Sequence, residues 1–290
     1  MKNAKLVTKS YPHHQTIVRL SKTVAFGGKE LVIIGGPCAV ESQEQMETVA
    51  QKLTLAPVQA LRGGVYKPRT SPYAFQGMGE EGLQILAEVR SRYNIPVVTE
   101  VMSISQIELV APRADMLQIG SRNMQNFDLL KALGQAGKPI LLKRGLAATI
   151  EEFVMAAEYI VSYGNPDVVL CERGIRSFDN YTRNVLDLGA VAALKQITHL
   201  PVIVDPSHAV GKRELVAPVA KAAVACGADG LIIECHPEPE QSVSDARQAL
   251  SLEDMVNLVA NLKPVAASVG RSISETMGVG SQPAPICYAA

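Results

Sequence analysis

Short apolar runs alternate with longer amphipathic stretches along most of this 290-residue chain. Eight of the runs are apolar enough to be strands buried on both faces, and they span residues 31–36, 59–66, 96–101, 116–120, 139–144, 168–173, 201–206 and 230–236. Each is followed by a stretch with helical periodicity, at residues 42–55, 80–93, 103–110, 126–135, 150–163, 182–196, 215–226 and 252–262. Eight strand–helix pairs, repeating roughly every 30 residues, predict an α/β fold, a closed (β/α)₈ TIM barrel.

An open, doubly wound sheet is the alternative architecture for such a pattern. That fold usually opens with a glycine-rich G-x-G-x-x-G turn between its first strand and first helix. The corresponding segment here, residues 35–38, reads Gly-Gly-Pro-Cys and lacks that spacing. The barrel is therefore the favoured prediction.

Two segments flank the predicted barrel of residues 29–263. Residues 1–28 are predicted to be an N-terminal extension, with a loose leader up to residue 15. Its strand-like pieces at 16–20 and 23–26 are predicted to form a hairpin that plugs the bottom of the barrel. Residues 264–290 are rich in Ala, Ser, Gly and Pro without a clear period, and we expect a tail that is mobile or draped over the surface.

Charge and composition exclude several classes of protein. Lys and Arg together number 28, as do Asp and Glu, and this balance argues against nucleic acid or an anionic membrane as the main partner. No apolar run reaches about 18 residues, so no transmembrane helix is expected. The five cysteines lie mostly inside apolar runs, which favours a reduced, cytoplasmic protein.

Polar residues gather at the carboxyl ends of the predicted strands, where barrel enzymes carry their chemistry. One subset is Cys38, His208, Glu234 and Asp245. A thiolate, an imidazole and two carboxylates suit a divalent transition metal that polarises a carbonyl group. Each residue also has an ordinary structural interpretation, such as a small buried thiol or a solvated loop acid, although an unpaired buried Glu234 would be costly.

The second subset is cationic and comprises Arg62, Lys67, Arg69, Arg122, Lys143 and Arg173. Cations gathered on one face of a neutral protein repel one another unless anions bind there, and guanidinium groups bind carboxylates and phosphates in bidentate fashion. The alternative is that some of them pair with Glu41, Glu100 or Glu172. Residues 67–72, with the sequence KPRTSP, form a loop stiffened by two prolines that suits a phosphate.

Eight segments together resemble the 3-deoxy-D-arabino-heptulosonate 7-phosphate (DAHP) synthases, in the microbial type I subgroup without a large insertion. They are GPCAVES at 36–42, RGG at 62–64, KPRTS at 67–71, QIGSRN at 118–123, LKRG at 142–145, CERG at 171–174, DPSH at 205–208 and ECHPEP at 234–239. The resemblance covers roughly residues 29–262. About 28 residues precede the first barrel strand, so we expect no added regulatory domain.

The resemblance implies that phosphoenolpyruvate condenses with erythrose 4-phosphate, with release of phosphate, as the first step of the shikimate pathway. It implies a divalent metal (Mn²⁺, Fe²⁺, Co²⁺, Zn²⁺ or Cd²⁺) on Cys38, His208, Glu234 and Asp245, and a homo-oligomer, a dimer or tetramer. The implied substrate-binding residues are Arg62, Lys67, Arg122, Lys143 and Arg173 for phosphoenolpyruvate, and Arg69, Thr70 and Ser71 for erythrose phosphate. Ser121 is implied as a further substrate-binding residue.

Cys38, His208 and Lys143 are the candidate catalytic residues on this resemblance. Arg122 and Arg173 are expected on the phosphate of phosphoenolpyruvate. Two further roles are hypotheses: Lys143 as a proton donor, and a water held near His208 by the metal as the nucleophile.

Three other functions are compatible with parts of the pattern. The sister enzyme, 3-deoxy-D-manno-octulosonate 8-phosphate synthase, uses arabinose 5-phosphate, but its loop typically reads Lys-Ala-Asn-Arg-Ser, one residue longer than the loop at Lys67–Thr70. A Schiff-base aldolase would use Lys143 without any metal. A barrel that only binds phosphorylated metabolites would not need the four metal-ligand candidates.

Overall fold

Eight parallel strands close into a barrel in the computed structural model, which describes residues 3–69 and 71–274. The barrel strands are β3 (Val32–Gly36), β4 (Ala60–Arg62), β5 (Val97–Glu100), β6 (Met116–Ile119), β7 (Ile140–Lys143), β8 (Val168–Glu172), β9 (Val202–Val204) and β10 (Gly230–His236). They pair in chain order, and β10 closes the ring by pairing with both β9 and β3. The predicted (β/α)₈ barrel is confirmed.

Helices surround the barrel and occupy most of the predicted positions. They are α1 (Gln43–Leu53), α2 (Glu80–Tyr93), α3 (Ile107–Val110), α4 (Phe127–Leu133), α5 (Ile150–Ser162), α6 (Leu188–Ile197), α7 (Pro206–Val210), α8 (Arg213–Ala225) and α9 (Leu252–Ser268). Their apolar faces pack on the outside of the strands in one continuous core. Among the described residues, no helix is both long and apolar enough to cross a membrane.

A short hairpin precedes the barrel, as predicted. Its strands, β1 (Val18–Arg19) and β2 (Ala25–Phe26), are antiparallel. Val18, Leu20, Val24 and Phe26 are buried in the same cluster as the inward-facing strand residues, such as Val32 at the start of β3. The hairpin therefore closes the end of the barrel opposite the strand carboxyl termini.

The N-terminal leader is not loose where the structure describes it, so this part of the prediction is wrong. The Glu158 carboxylate on α5 accepts hydrogen bonds from the backbone N–H groups of Lys5, Leu6 and Val7. Ala4 and Val7 are buried in the outer core. Because these contacts join residues about 150 positions apart, no local sequence pattern indicates them.

The two largest differences from the predicted helix boundaries are in α6 and α9. Helix α6 begins at Leu188, not at residue 182, because the Asp187 side chain caps it while Arg183 and Asn184 bond to the residue 209–210 backbone. Helix α9 continues beyond 262 to Ser268 with Pro264 inside it.

The cost of the proline in α9 is offset by burial of neighbouring side chains such as Leu262 and Ala266. The first residues of the predicted 264–290 tail are therefore helical. Residues 275–290 lie outside the described part of the chain.

Replacing Phe26 by Ala should destabilise the fold by about 3–5 kcal/mol, because it removes a fully buried ring from the hairpin plug. Urea unfolding followed by circular dichroism measures the change. The matched control is Ile17→Ala in the same hairpin segment, where the side chain is 44% exposed. Equal losses for the two variants would contradict the assigned role of the hairpin.

Candidate active site

The carboxyl ends of the barrel strands form one polar rim, and both residue subsets predicted from the sequence lie there. Glu234 belongs to β10, and Lys143 is the last residue of β7. Cys38 follows β3 after Gly36, whose φ is +142° and where a β-carbon would collide with the Arg62 carbonyl oxygen. Glycine at this position lets the β3 end lie against β4, which brings Cys38 close to Arg62.

The four candidate metal ligands lie together, with one donor atom from each within 4.8 Å of all the others. Cys38 Sγ is 3.2 Å from Asp245 Oδ2. His208 Nε2 is 3.2 Å from Glu234 Oε1 and 3.8 Å from Asp245 Oδ2. Residues from four separate parts of the chain thus present one sulfur, one nitrogen and two oxygens to a common point.

The chemistry of this donor set fits a divalent transition metal. Glu234 is fully buried, and within the described residues its Oε1 accepts no hydrogen bond, although it forms a salt bridge with Arg62 Nη2 at 3.1 Å. A buried carboxylate oxygen that accepts no hydrogen bond keeps a lone pair available for a metal ion. Burial lowers the pKa of His208, which favours the neutral imidazole that metals bind.

The thiol of Cys38 is held in a strongly polar setting despite its burial. Burial raises the pKa of Cys38 to about 12, and Glu234 adds to the rise. The Lys67 ammonium group opposes it and lies 2.9 Å from both the sulfur and the Cys38 carbonyl oxygen. Lys67, predicted as a substrate-binding residue, therefore also contacts a candidate metal ligand.

Asp205 connects the two subsets and is not among the site residues predicted from the sequence. Its Oδ2 accepts from His208 Nδ1 at 2.7 Å and from Lys143 Nζ at 2.5 Å, while Oδ1 accepts from the His208 backbone N–H. Burial alone would raise the pKa of Asp205, but His208 and Lys143 hold that pKa well below its usual value. With Nδ1 bonded to Asp205, His208 presents Nε2 to the other donors.

A cavity of about 350 Å³ opens beside the metal-ligand candidates. Its lining includes seven of the predicted substrate-binding residues, namely Arg62, Lys67, Arg69, Ser121, Arg122, Lys143 and Arg173, together with His208 and Asp245. The predicted residues of the two subsets thus share one space. Ser71 is exposed and is not among the lining residues, and Thr70 lies outside the described residues.

The acids proposed as partners of the cations bond elsewhere. Glu172 accepts from Arg144 at 2.8 Å and from the Gly174 backbone N–H. Glu100 accepts from Gln118, and Glu41 accepts from the backbone N–H of Val243. Within the described residues, none of these three acids forms a salt bridge with a cation of the predicted subset.

Several cavity cations therefore keep donors available for an anion. Arg122 is exposed and donates to the Pro68 carbonyl oxygen at 3.4 Å. Arg173 donates to the carbonyl oxygens of Gly174 and His208, and burial lowers its pKa. Arg69 Nη2 is buried and has no hydrogen-bond partner among the described residues. Such an arrangement can bind phosphate and carboxylate groups.

Ser244 Oγ lies 3.1 Å from Cys38 Sγ, and two further residues that contact the metal-ligand candidates were likewise not predicted from the sequence. Gln248 donates to Glu234 Oε2, and Arg183 donates to Asp245 Oδ1. Both lie on loops without a strand-end pattern. Asp205 could have been noticed from the sequence, since it stands three residues before His208 at the end of the same strand.

Comparisons with known proteins agree on one family. A profile described as the DAHP synthetase I family matches residues 15–269. A curated Thermotoga maritima protein named phospho-2-dehydro-3-deoxyheptonate aldolase is 47% identical over 274 residues, covering 94% of this chain and 81% of its own length. A Syntrophotalea carbinolica 2-dehydro-3-deoxyphosphooctonate aldolase is 33% identical, covering 85% of this chain and 95% of its own.

Solved structures give the same result. The crystal structure of the Thermotoga maritima DAHP synthase has a TM-score of 0.91 at 47% identity, covering 94% of this chain and 80% of that one. A truncated form of the Thermotoga maritima enzyme has a TM-score of 0.87 at 45% identity, covering 93% of this chain and 98% of its own.

Replacing Asp205 by Asn should weaken divalent-metal binding about 10–100-fold, because the His208 ring loses the carboxylate that orients it. Titration of the metal-free protein with Mn²⁺ measures the affinity. Asp167→Asn, which changes an acid before β8 at the opposite end of the barrel, is the matched control. Unchanged Mn²⁺ affinity in the Asp205 variant would contradict the orienting role.

Proposed function

This chain belongs to the DAHP synthetase I family, and we propose on that premise that it condenses phosphoenolpyruvate with erythrose 4-phosphate and water. The products are 3-deoxy-D-arabino-heptulosonate 7-phosphate and inorganic phosphate. This reaction is the first step of the shikimate pathway, which leads to chorismate and the aromatic amino acids.

One structural observation supports this function most strongly. The cavity at the strand carboxyl ends lies beside four metal-ligand candidates and is lined by a group of cations. In the described part of the chain, Arg69, Arg122 and Arg173 have no carboxylate partner, whereas Arg62 and Lys143 pair with Glu234 and Asp205. Two phosphorylated substrates need such cations, and an aldol-like step needs an electrophilic centre beside them. A protein that only bound phosphorylated metabolites would have no use for the four metal ligands.

Cys38, His208, Glu234 and Asp245 would hold the divalent metal on which this family depends. The bound metal would supply Lewis acidity for the aldehyde carbonyl of erythrose 4-phosphate. Asp205 keeps the His208 ring oriented, and Lys67 places positive charge against the Cys38 sulfur. The mixed soft and hard donors accept Mn²⁺, Fe²⁺, Co²⁺, Zn²⁺ or Cd²⁺, and availability of the metal decides among them.

The cations divide between the two substrates. We assign phosphoenolpyruvate to Arg62, Lys67, Ser121, Arg122, Lys143 and Arg173, with its phosphate on Arg122 and Arg173. We assign the phosphate of erythrose 4-phosphate to the loop of Arg69, Thr70 and Ser71. The buried, unpartnered Nη2 of Arg69 supports this second assignment. Both reactants are then held next to each other in a fixed orientation, which lowers the entropic part of the activation barrier.

The reaction requires proton transfer beside the reacting carbons. Carbon 3 of phosphoenolpyruvate attacks the aldehyde, water adds at carbon 2, and the phosphate leaves with cleavage of its C–O bond. Lys143 carries protons at the cavity wall and is joined through Asp205 to His208. We assign Lys143 the role of proton donor to the oxygen that forms from the aldehyde.

The chain is also expected to form a homo-oligomer and to work in the cytoplasm. The described cysteines, Cys38, Cys171, Cys226 and Cys235, are free thiols, which supports a reducing compartment. Light scattering on the purified protein measures its assembly state.

Phosphate release from phosphoenolpyruvate tests the reaction and the sugar together. Erythrose 4-phosphate should support release, EDTA should abolish it, and Mn²⁺ should restore it. Arabinose 5-phosphate in a parallel assay is the control for the sister activity. Release with arabinose 5-phosphate alone would assign the chain to that activity, and release that survives EDTA would contradict the metal site.

Replacing Lys143 by Met should lower kcat about 10²–10⁴-fold, because the proton donor is lost. Steady-state kinetics with both substrates separate this effect from binding. Lys143→Arg, which keeps the charge but does not release a proton near neutral pH, should lower kcat as well. A normal kcat with a raised KM in the Met variant would remove the proton-donor role.

A further inference from the structure

Arg183 occupies an unusual position, because it touches both the cavity and the metal-ligand candidates. It lies on the loop between β8 and α6 and lines the cavity. Its Nη1 donates to Asp245 Oδ1 at 3.0 Å and to Gln248 Oε1 at 3.0 Å. Neither the family assignment nor the substrate assignments above give this arginine a role.

Gln248 extends the contact to the second carboxylate. Its side chain is buried, and its Nε2 donates to Glu234 Oε2 at 2.5 Å. The amide orientation is set by Arg183, which can only donate and therefore bonds the amide oxygen. One guanidinium group thus contacts Asp245 directly and Glu234 through one amide.

These contacts decide which oxygen of each carboxylate faces the common point. With Oδ1 of Asp245 bonded to Arg183, Oδ2 faces Cys38 Sγ and His208 Nε2. With Oε2 of Glu234 bonded to Gln248, Oε1 is left without a hydrogen bond, 3.2 Å from His208 Nε2.

Asp245 needs this support more than the other ligands. It lies on a loop outside the barrel strands and has a positive φ of +57°, a conformation uncommon for a residue other than glycine. Cys38, His208 and Glu234 are in or next to barrel strands or a helix that starts at one. The hydrogen bond from Arg183 on a neighbouring loop therefore constrains the Asp245 carboxylate, together with the contact of its Oδ2 with Cys38 Sγ.

We propose that Arg183, acting with Gln248, is a positioning residue that orients the Asp245 and Glu234 carboxylates for the metal. The proposal rests on the proposed function only in that it assigns these carboxylates to a divalent cation. Loss of an outer partner of a metal ligand typically weakens binding by about 10–100-fold. The same effect is expected here, without loss of the fold, because the Arg183 side chain is partly exposed on a loop.

The test is titration of metal-free protein with Mn²⁺ alone, in competition with a chelator. Arg183→Ala and Gln248→Ala should each weaken Mn²⁺ binding about 10–100-fold. The fold loss of Mn²⁺ affinity in the double variant should be smaller than the product of the losses in the two single variants. The reason is that Arg183 acts on Glu234 through Gln248, so the two effects are not independent. The Mn²⁺ affinity of Arg183→Lys should lie between those of the wild type and Arg183→Ala, because a single ammonium group replaces the planar guanidinium group.

Arg176→Ala is the matched control. Arg176 lies on the same loop and lines the same cavity, and its side chain is exposed and forms no salt bridge with the four ligands. Its variant should bind Mn²⁺ with an affinity close to that of the wild type. Melting temperatures of all the metal-free variants report whether the fold is intact.

Turnover adds a second readout. In Arg183→Ala, saturating Mn²⁺ should restore most of kcat, because the defect lies in metal affinity. Wild-type Mn²⁺ affinity in Arg183→Ala, with a raised KM for either substrate, would overturn the proposal and make Arg183 a substrate-binding residue. Since the titration needs no substrate, it stands even if the wild-type protein fails to turn over either sugar phosphate.

Discussion

The buried carboxylate of Asp205 is the interaction on which the site depends. Its Oδ2 accepts hydrogen bonds from both His208 Nδ1 and Lys143 Nζ, so one carboxylate oxygen contacts both the metal-ligand group and the cationic cavity. An ionised carboxylate in the interior is stable only when it is paired and hydrogen-bonded, and Asp205 is bonded through both of its oxygens. Its position at the end of β9 fixes the imidazole and the ammonium group relative to each other.

A cationic side chain lies beside an acidic or thiol side chain at four places around the site. Lys67 lies beside Cys38, Arg62 beside Glu234, Lys143 beside Asp205 and Arg183 beside Asp245. Arg62, Lys143 and Arg183 are thus each compensated by a carboxylate of the site. Three of these four cations are also assigned to phosphoenolpyruvate. Largely the same positive groups therefore contact the candidate metal-site residues and are assigned to the anionic substrate.

The barrel and most of the site were predictable because a parallel barrel places every strand carboxyl end on one rim. Cys38, Arg62, Lys143, His208 and Glu234 all stand at the ends of apolar runs, so their proximity followed from the strand pattern. Arg183 and Gln248 lie on loops, and their positions depend on tertiary contacts that leave no local signal. The leader at residues 3–9 was missed for the same reason, since Glu158 binds it from a distant helix. The predicted end of the last helix at residue 262 was wrong, because burial of neighbouring side chains offsets the cost of Pro264 within α9.

The most direct test of the central claim, that one barrel rim joins a metal centre to a phosphoenolpyruvate pocket, is a crystal structure of the protein with Mn²⁺ and phosphoenolpyruvate. Anomalous diffraction at the manganese edge locates the metal independently of the protein atoms. The account predicts one Mn²⁺ bound by Cys38, His208, Glu234 and Asp245, with the phosphate of phosphoenolpyruvate on Arg122 and Arg173. Manganese bound elsewhere, or phosphoenolpyruvate outside this cavity, would contradict it.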